Sequence, residues 1–472
     1  MELFALREQN PYWMNPQAIE QDFHLGKIKA GAIEIINPVE KNIKINKDGI
    51  YIIRGPRQVG KTTLLKRKIK DLIKNGVNPE RILYFAFDIG GLKNEQAVHD
   101  LIKTYIQWIR RTIKERVWIF LDEVTYTGGW ALGLKTAFDS GLLEKVTCIA
   151  TGSSCIDLKR GGERLPGRRG DIKAASDLIM LPINFRSFLK IYYLSKDREI
   201  PHIASFKNKQ LKESAHEISL YEKELKEAFE NYLMLGGYPL PLNQYFQKSR
   251  VENDSYYTYL QALLGDIARL GKSEMYFREI ASIIISKKFE PIDWLTISQS
   301  TSIGSHSTVQ SYVEDLSNLF VFDIHHHYRF LGGIQLSFKK RRKIYCTNSF
   351  IFHILNGWCA GTFNYFQYST RWLENPENKA KLVENVAISH LKNLFPHSGF
   401  WRNEQEIDFI ANAEKSNPLY IEIKYQSHII SHDKKSLKKV GGGIILSKDT
   451  LSFDKDNNIL IIPVSSFLAL LP

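Results

Sequence analysis

Short runs of consecutive apolar residues at positions 50–53, 81–87, 117–121, 146–151 and 177–181 read as strands buried on both faces. Between them lie helical patterns. In residues 62–75, Leu64, Leu65, Ile69, Leu72 and Ile73 recur at helical spacing before the stop at Gly76, and 95–114 forms a second such stretch. Strands alternating with helices predict a parallel, doubly wound α/β sheet for the first part of the chain. The pattern changes near residue 271. Two short helices (277–287 and 294–301), a turn at Ile303-Gly304, a helix over 305–319 and a β-type run at 320–324 outline a winged helix-turn-helix. In the last third, 380–394 reads as a helix and 406–410, 420–424 and 444–446 as strands, with a basic helix end at 434–439 before Gly441-Gly442-Gly443.

The strongest chemical signal falls between the first strand and the first helix. Gly55-Pro56-Arg57-Gln58-Val59-Gly60-Lys61-Thr62 satisfies G-x-x-x-x-G-K-[ST], and Thr63 follows it. Glycines let backbone N–H groups face phosphates and the helix N-terminus adds partial positive charge. Lys61 would reach the β/γ oxygens, and Thr62 would hold Mg²⁺. The run 117–121 ends in Asp122-Glu123, placing a carboxylate for the Mg²⁺ shell at Asp122 and one to polarise the attacking water at Glu123, as hydrolysis of ATP requires. The strand at 146–151 ends in Thr151-Gly152-Ser153-Ser154, where a hydroxyl could sense the γ-phosphate; a plain turn is the alternative. Residues 163–170 form a Gly/Pro-punctuated basic loop in which Arg168 or Arg169 could act as an arginine finger, or simply sit in solvent.

Arg7-Glu8-Gln9-Asn10-Pro11-Tyr12-Trp13, the P-loop, Leu121-Asp122-Glu123, Thr151-Gly152-Ser153-Ser154 and Gly236-Gly237-Tyr238-Pro239, in this order, resemble the archaeal and bacterial AAA-superfamily ATPases that carry a C-terminal domain related to restriction-type nucleases. The resemblance implies an AAA-type ATPase core (1–183), a helical lid (184–270), a winged helix (271–345) and a restriction-endonuclease-like α/β domain (346–472), with Tyr12 and Trp13 approaching the nucleotide base. Packing under the first helix is the other reading of those aromatics.

Asp408, thirteen residues, then Glu422-x-Lys424 is similar to the PD-(D/E)XK nuclease pattern without its Pro. Glu422 and Lys424 share a strand face because strand side chains repeat every two residues. By that resemblance Asp408, Glu422 and Glu384 would bind Mg²⁺, and Lys424 would orient water or steady the leaving phosphate. Two carboxylates about 4 Å apart repel by about 4 kcal/mol at an effective dielectric near 20, so such a cluster needs a cation. The bland reading is a structural Glu422–Lys424 pair.

Composition then narrows the partners. The 472 residues carry 64 Lys plus Arg against 51 Asp plus Glu, a formal +13, which favours a polyanion such as DNA over a neutral ligand. Part of the excess lies at 339–343 and 434–439. Ser305, His306, Ser307, Thr308 and Gln310 open the third helix of the winged unit, where a major-groove reader places base contacts. His325-His326-His327 lacks the neighbours a metal site needs and reads as an edge strand with exposed imidazoles. Four scattered cysteines form no disulfide framework, and neither a signal peptide nor a membrane span is legible, so a cytoplasmic location without membrane contact is expected. The leading reading is an ATP- and Mg²⁺-dependent ATPase acting on DNA, with a homo-oligomeric state and a metal-dependent nuclease domain as further expectations. The other is an ATP-dependent switch or scaffold whose nuclease-like domain binds proteins and cuts nothing.

Overall fold

The computed structural model describes residues 3–89, 91, 94, 96–152, 177–192, 200, 201, 203, 206–330, 334–411 and 418–472. It divides into two compact units, Met1–Pro182 and Ile183–Pro472.

The first unit is built on a five-stranded parallel sheet. Strands β1 (Gly49–Arg54), β2 (Ile82–Ala86), β3 (Val117–Asp122), β4 (Val146–Thr151) and β5 (Asp177–Ile179) take the order β2-β3-β4-β1-β5. The apolar runs of β1 to β4 are buried on both faces, as helices Lys61–Lys74, Ala97–Ile109 and Trp130–Asp139 require of the sheet they flank, whereas the edge strand β5 buries only Leu178. At the β2 edge, side chains replace a sixth strand. Gln9 pairs through its amide with the N–H and carbonyl of Ala86, Asn10 does the same with Tyr84, and Trp13 Nε1 donates to the Ile82 carbonyl. An open row of backbone donors and acceptors is thereby closed without a strand. Gly55 is required where β1 turns: a Cβ there would lie 2.1 Å from the Met180 carbonyl oxygen.

The second unit contains a nine-stranded mixed sheet. Its strands are β6 (Phe322–Phe330), β7 (Ile334–Ser337), β8 (Lys343–Cys346), β9 (Ser398–Arg402), β10 (Glu406–Ala411), β11 (Leu419–Ile423), β12 (Gly443–Ser447), β13 (Ser452–Asp454) and β14 (Ile459–Pro463). The order is β13-β14-β12-β11-β10-β9-β6-β7, with β8 paired to β6. Helices Glu274–Ser286, Trp294–Gln299 and His306–Asn318 precede β6, and helix Pro376–Leu394 precedes β9. The β9-β10-β11 meander is antiparallel and β11-β12-β14 is parallel, with helix Lys435–Lys439 in the crossover.

Two expectations change here. The helices over 185–269, read as a lid on the ATPase, belong to the second unit, where Phe185 N–H donates to His390 Nε2 and Arg186 to the Ala469 carbonyl. The histidine run is interior rather than exposed: β6 is flanked by β9 on one side and β7 and β8 on the other, and His325 and His327 are buried, His325 stacked on Phe400 and Phe409.

Candidate functional sites

The first site forms where β1 ends and helix Lys61–Lys74 begins. The loop turns through left-handed backbone at Gln58 (φ 57°) and Gly60 (φ 101°), and glycine makes the second of these cheap. The buried Lys61 ammonium folds back on the loop, donating to the carbonyls of Gly55 and Pro56, each at 2.9 Å. Thr62 and Thr63 stand half-buried in the first helical turn, and Pro56 and Val59 pack inward while Gln58 is exposed.

Strand β4 lies between β1 and β3, so the acid at the end of β3 is carried two strands from the phosphate loop. Asp122 is 2% exposed. Both of its oxygens are engaged: the Thr151 hydroxyl donates to Oδ1 and the Tyr84 hydroxyl to Oδ2 at 3.0 Å. Burial pushes the Tyr84 phenol far up, reinforced by the Asp122 charge, so it stays a donor. Above the Tyr84 ring sits the Lys66 ammonium, 3.4 Å from the centroid, which also pairs with Asp22 at 3.2 Å. Glu123 follows in a left-handed conformation (φ 53°) that non-glycine residues adopt at a cost, its N–H reaching the Thr151 hydroxyl at 3.4 Å. The loop, ammonium, hydroxyls and buried carboxylate form a donor set that suits a nucleoside triphosphate with Mg²⁺. Tyr84 was missed in the sequence because it reads there as one more apolar strand position. Arg168, Arg169, Ser153 and Ser154 lie outside the described residues.

Trp13 does not approach this loop, and the Tyr12 hydroxyl donates to Asn10 Oδ1. Trp13 is fixed to the first residue of β2, at the opposite end of the sheet from the strand termini that carry the loop and Asp122, and β2 is three strands from β1. Both are buried; Trp13 stacks on Tyr105 and Trp108.

The second site lies in the other unit, on β8, β10, β11 and helix Pro376–Leu394. The pairing of β10 with β9 shifts register between Ile407 and Ile410, a bulge of the kind that re-aims a side chain, and Asp408 sits within it. Glu384, Asp408 and Glu422 are all buried. Glu384 and Asp408 meet on Lys343: its Nζ lies 2.8 Å from Glu384 Oε1, 3.0 Å from Asp408 Oδ1 and 2.5 Å from Glu406 Oε1, the last an ion pair without hydrogen-bond alignment. Burial alone would lower the Lys343 pKa, but the surrounding carboxylates, Glu384 foremost, outweigh it and hold the ammonium well above its usual value.

Asp408 is likewise opposed by burial and drawn below the usual carboxylate range by Lys343 and Lys424, with the Ile423 N–H donating to its Oδ2 at 2.9 Å. Glu422 pairs instead with Lys424 at 3.0 Å and accepts from the Ser436 hydroxyl; burial, opposed by Lys424, pushes its carboxyl up to about 7. Among the described residues no group of three or more His, Cys, Asp or Glu side chains is placed to hold a metal. Lys343, Glu406 and the Tyr345 hydroxyl, which donates to Glu384 at 2.8 Å, are absent from the sequence-derived site.

The basic run 339–343 is therefore divided. Lys339, Lys340 and Arg341 are exposed, Arg342 is buried with its guanidinium 4.1 Å from the Trp294 ring centroid, and Lys343 is in the carboxylate centre. Lys287, Lys340, Arg341 and Arg402 line one cleft beside it, together with Glu290 and His327.

Residues 47–189 match the AAA domain family. This region is an AAA-type P-loop ATPase domain. Residues 226–361 and 379–467 match two families described as domains of unknown function (DUF8612 and DUF4143). An uncharacterized protein of Methanocaldococcus jannaschii is 27% identical over 248 residues, 50% of this chain and 47% of the relative, so the chain spans about half the length of the curated relative it matches. Solved structures with similarity include a Walker-type ATPase of Pyrococcus abyssi (TM-score 0.40, 13% identity, 67% of this chain and 94% of that one). The Aeropyrum pernix ORC1 protein in complex with DNA (0.32, 11%, 73% and 95%) and Thermotoga maritima RuvB (0.25, 13%, 72% and 93%) are also similar. No helix among the described residues is long and apolar enough to cross a membrane.

Proposed function

We propose that the first unit hydrolyses ATP with Mg²⁺ and that this turnover drives or gates action of the second unit on DNA. The observation carrying the first half is Asp122, buried at the end of β3 and fixed through both oxygens by Thr151 and Tyr84, in the unit where Lys61 and Thr62 open the helix after the phosphate loop. In this reading the backbone of 55–60 and Lys61 bind the phosphates, Thr62 and Asp122 hold Mg²⁺, and Glu123 orients the attacking water. The test is Mg²⁺-dependent ATP turnover by Asp122→Asn and Glu123→Gln. Each should lose at least about a hundredfold in rate, as removal of a group acting on the transition state does, while Glu123→Gln still binds ATP. Wild-type turnover in either variant contradicts the assignment.

For the second half, helices Glu274–Ser286, Trp294–Gln299 and His306–Asn318 with the β6–β8 ladder have the order of a winged helix. His306, Ser307 and Gln310 are exposed at the start of the third helix, and Lys339, Lys340 and Arg341 near the β7–β8 turn. These support a duplex lying across that face. With about six phosphate contacts, affinity for duplex DNA should fall about a thousandfold between about 50 and 200 mM salt; a flat salt response removes DNA from the account.

A second reading, an ATP-dependent switch whose nuclease-like region cuts nothing, is favoured by one observation: Glu384 and Asp408 are already neutralised by Lys343.

A further inference from the structure

The nuclease resemblance calls for a divalent metal among Glu384, Asp408 and Glu422, and the side chains present do not fit one. A metal bridging carboxylates sits about 2.0–2.1 Å from their oxygens as Mg²⁺, or about 2.3–2.6 Å as Ca²⁺. Between Glu384 and Asp408 the space holds an ammonium at 2.8 and 3.0 Å, the separations of charge-assisted hydrogen bonds. We infer that Lys343 is the resident cation of this centre, standing where the resemblance would place Mg²⁺, and that it closes the carboxylate cluster to divalent metal. The inference is independent of ATP hydrolysis in the first unit.

Four observations carry it. The oxygens a metal would need are engaged. Glu384 Oε1 accepts from both Lys343 and Tyr345, and its Oε2 lies 3.3 Å from Lys381 Nζ. Asp408 divides its oxygens between Lys343 and the Ile423 N–H. Glu422 divides its own between Lys424 and Ser436.

Cations also line the cluster already. Glu290, Glu384, Glu406, Asp408 and Glu422 face Lys343, Lys381, Arg402 and Lys424 within ion-pair distance, five carboxylates against four cations. A divalent ion added to them would turn the group net positive in a buried site, where uncompensated charge costs several kcal/mol. The lysine is also held in place by its backbone: Lys343 is paired with His325 in the β6–β8 ladder, and its side chain is 2% exposed, so it has no solvent position to retreat to within this fold. Finally, the neighbouring Arg342 is bound in turn: its backbone N–H donates to the Ile292 carbonyl and its carbonyl accepts from the Ile292 N–H, which fixes the start of β8 against the segment between the first two helices of the triplet.

The test is Mn²⁺ binding to the nucleotide-free full chain, followed by electron paramagnetic resonance. Wild type should show no site that Asp408→Asn removes. Lys343→Met, which keeps the buried stem and deletes the charge, should gain one Mn²⁺ site at least tenfold tighter than any in wild type, and Asp408→Asn added to it should abolish that site. Wild-type protein binding one Mn²⁺ in a manner lost on Asp408→Asn would overturn the inference, and so would a folded Lys343→Met that gains no Mn²⁺. Should Lys343→Met not fold, the comparison of wild type with Asp408→Asn still decides.

Discussion

The two candidate sites each contain a buried lysine, and the lysines are held in opposite ways. Lys61 is 5% exposed and rests on two neutral carbonyls of its own loop. Each such hydrogen bond contributes about 1 kcal/mol net and can be exchanged for a phosphate oxygen that binds more strongly because it is charged. Lys343 is 1% exposed and rests on three carboxylates delivered by a helix and a strand. The first ammonium is poised to leave its partners for a ligand. The second has already found the anions that a ligand site would offer. A buried cation marks a site open to chemistry when its partners are neutral, and a closed one when they carry the opposite charge.

The sharpest way to break that contrast is to remove each charge. Lys343→Met leaves Glu384, Glu406 and Asp408 without their shared cation, and loss of one partner of a buried ion pair costs about 3–5 kcal/mol. Lys61→Met should cost about 1 kcal/mol or less, because carbonyls facing a loop can turn to water. Urea unfolding of the two variants checks both numbers; equal losses would dissolve the distinction.

A smaller effect separates the two units by pH. Burial lowers His353 and His390, both in the second unit, to about 4 from an unfolded value near 6.5. The unfolded chain therefore binds more protons than the folded one across this window. Stability contributed by these groups is intact above about pH 6.5 and is lost as pH falls toward about 4, by about 1 kcal/mol per histidine between about pH 7 and 5.5. The second unit's urea midpoint should fall accordingly, and replacing His353 and His390 with Gln should make the profile shallower, leaving the share of His325, His326 and His327, which burial also lowers. In the first unit burial depresses His24 among the described histidines, so its acid sensitivity should be weaker.

The elements that carry the first site were legible in the sequence because their signals are local. A consecutive apolar run, a phosphate loop and an amphipathic helix follow one another within residues 49–74, and the structure places the elements within a residue or two of the pattern. For Tyr12 and Trp13 the packing alternative fits their burial, while the capping of the β2 edge by Gln9, Asn10 and Trp13 was not legible because side-chain capping has no periodic signature. The second site was half legible. Asp408, Glu422 and Glu384 stand on the expected strands and helix, with Lys424 one residue past the end of β11, yet the group that decides their chemistry comes from 41 and 65 positions away along the chain. Lys343 is the last of five cations, a composition that reads as a solvated loop, and only the β6–β8 pairing turns it inward. The same holds for the histidines of β6, whose burial follows from the strand having neighbours on both sides.

The most direct measurement of the central claim is steady-state ATP hydrolysis by the full chain and by Lys61→Ala, each with saturating Mg²⁺ and ATP. The account predicts Mg²⁺-dependent turnover in the wild type and a loss of at least about a hundredfold in the variant. A Lys61→Ala protein that hydrolyses ATP at the wild-type rate would contradict it.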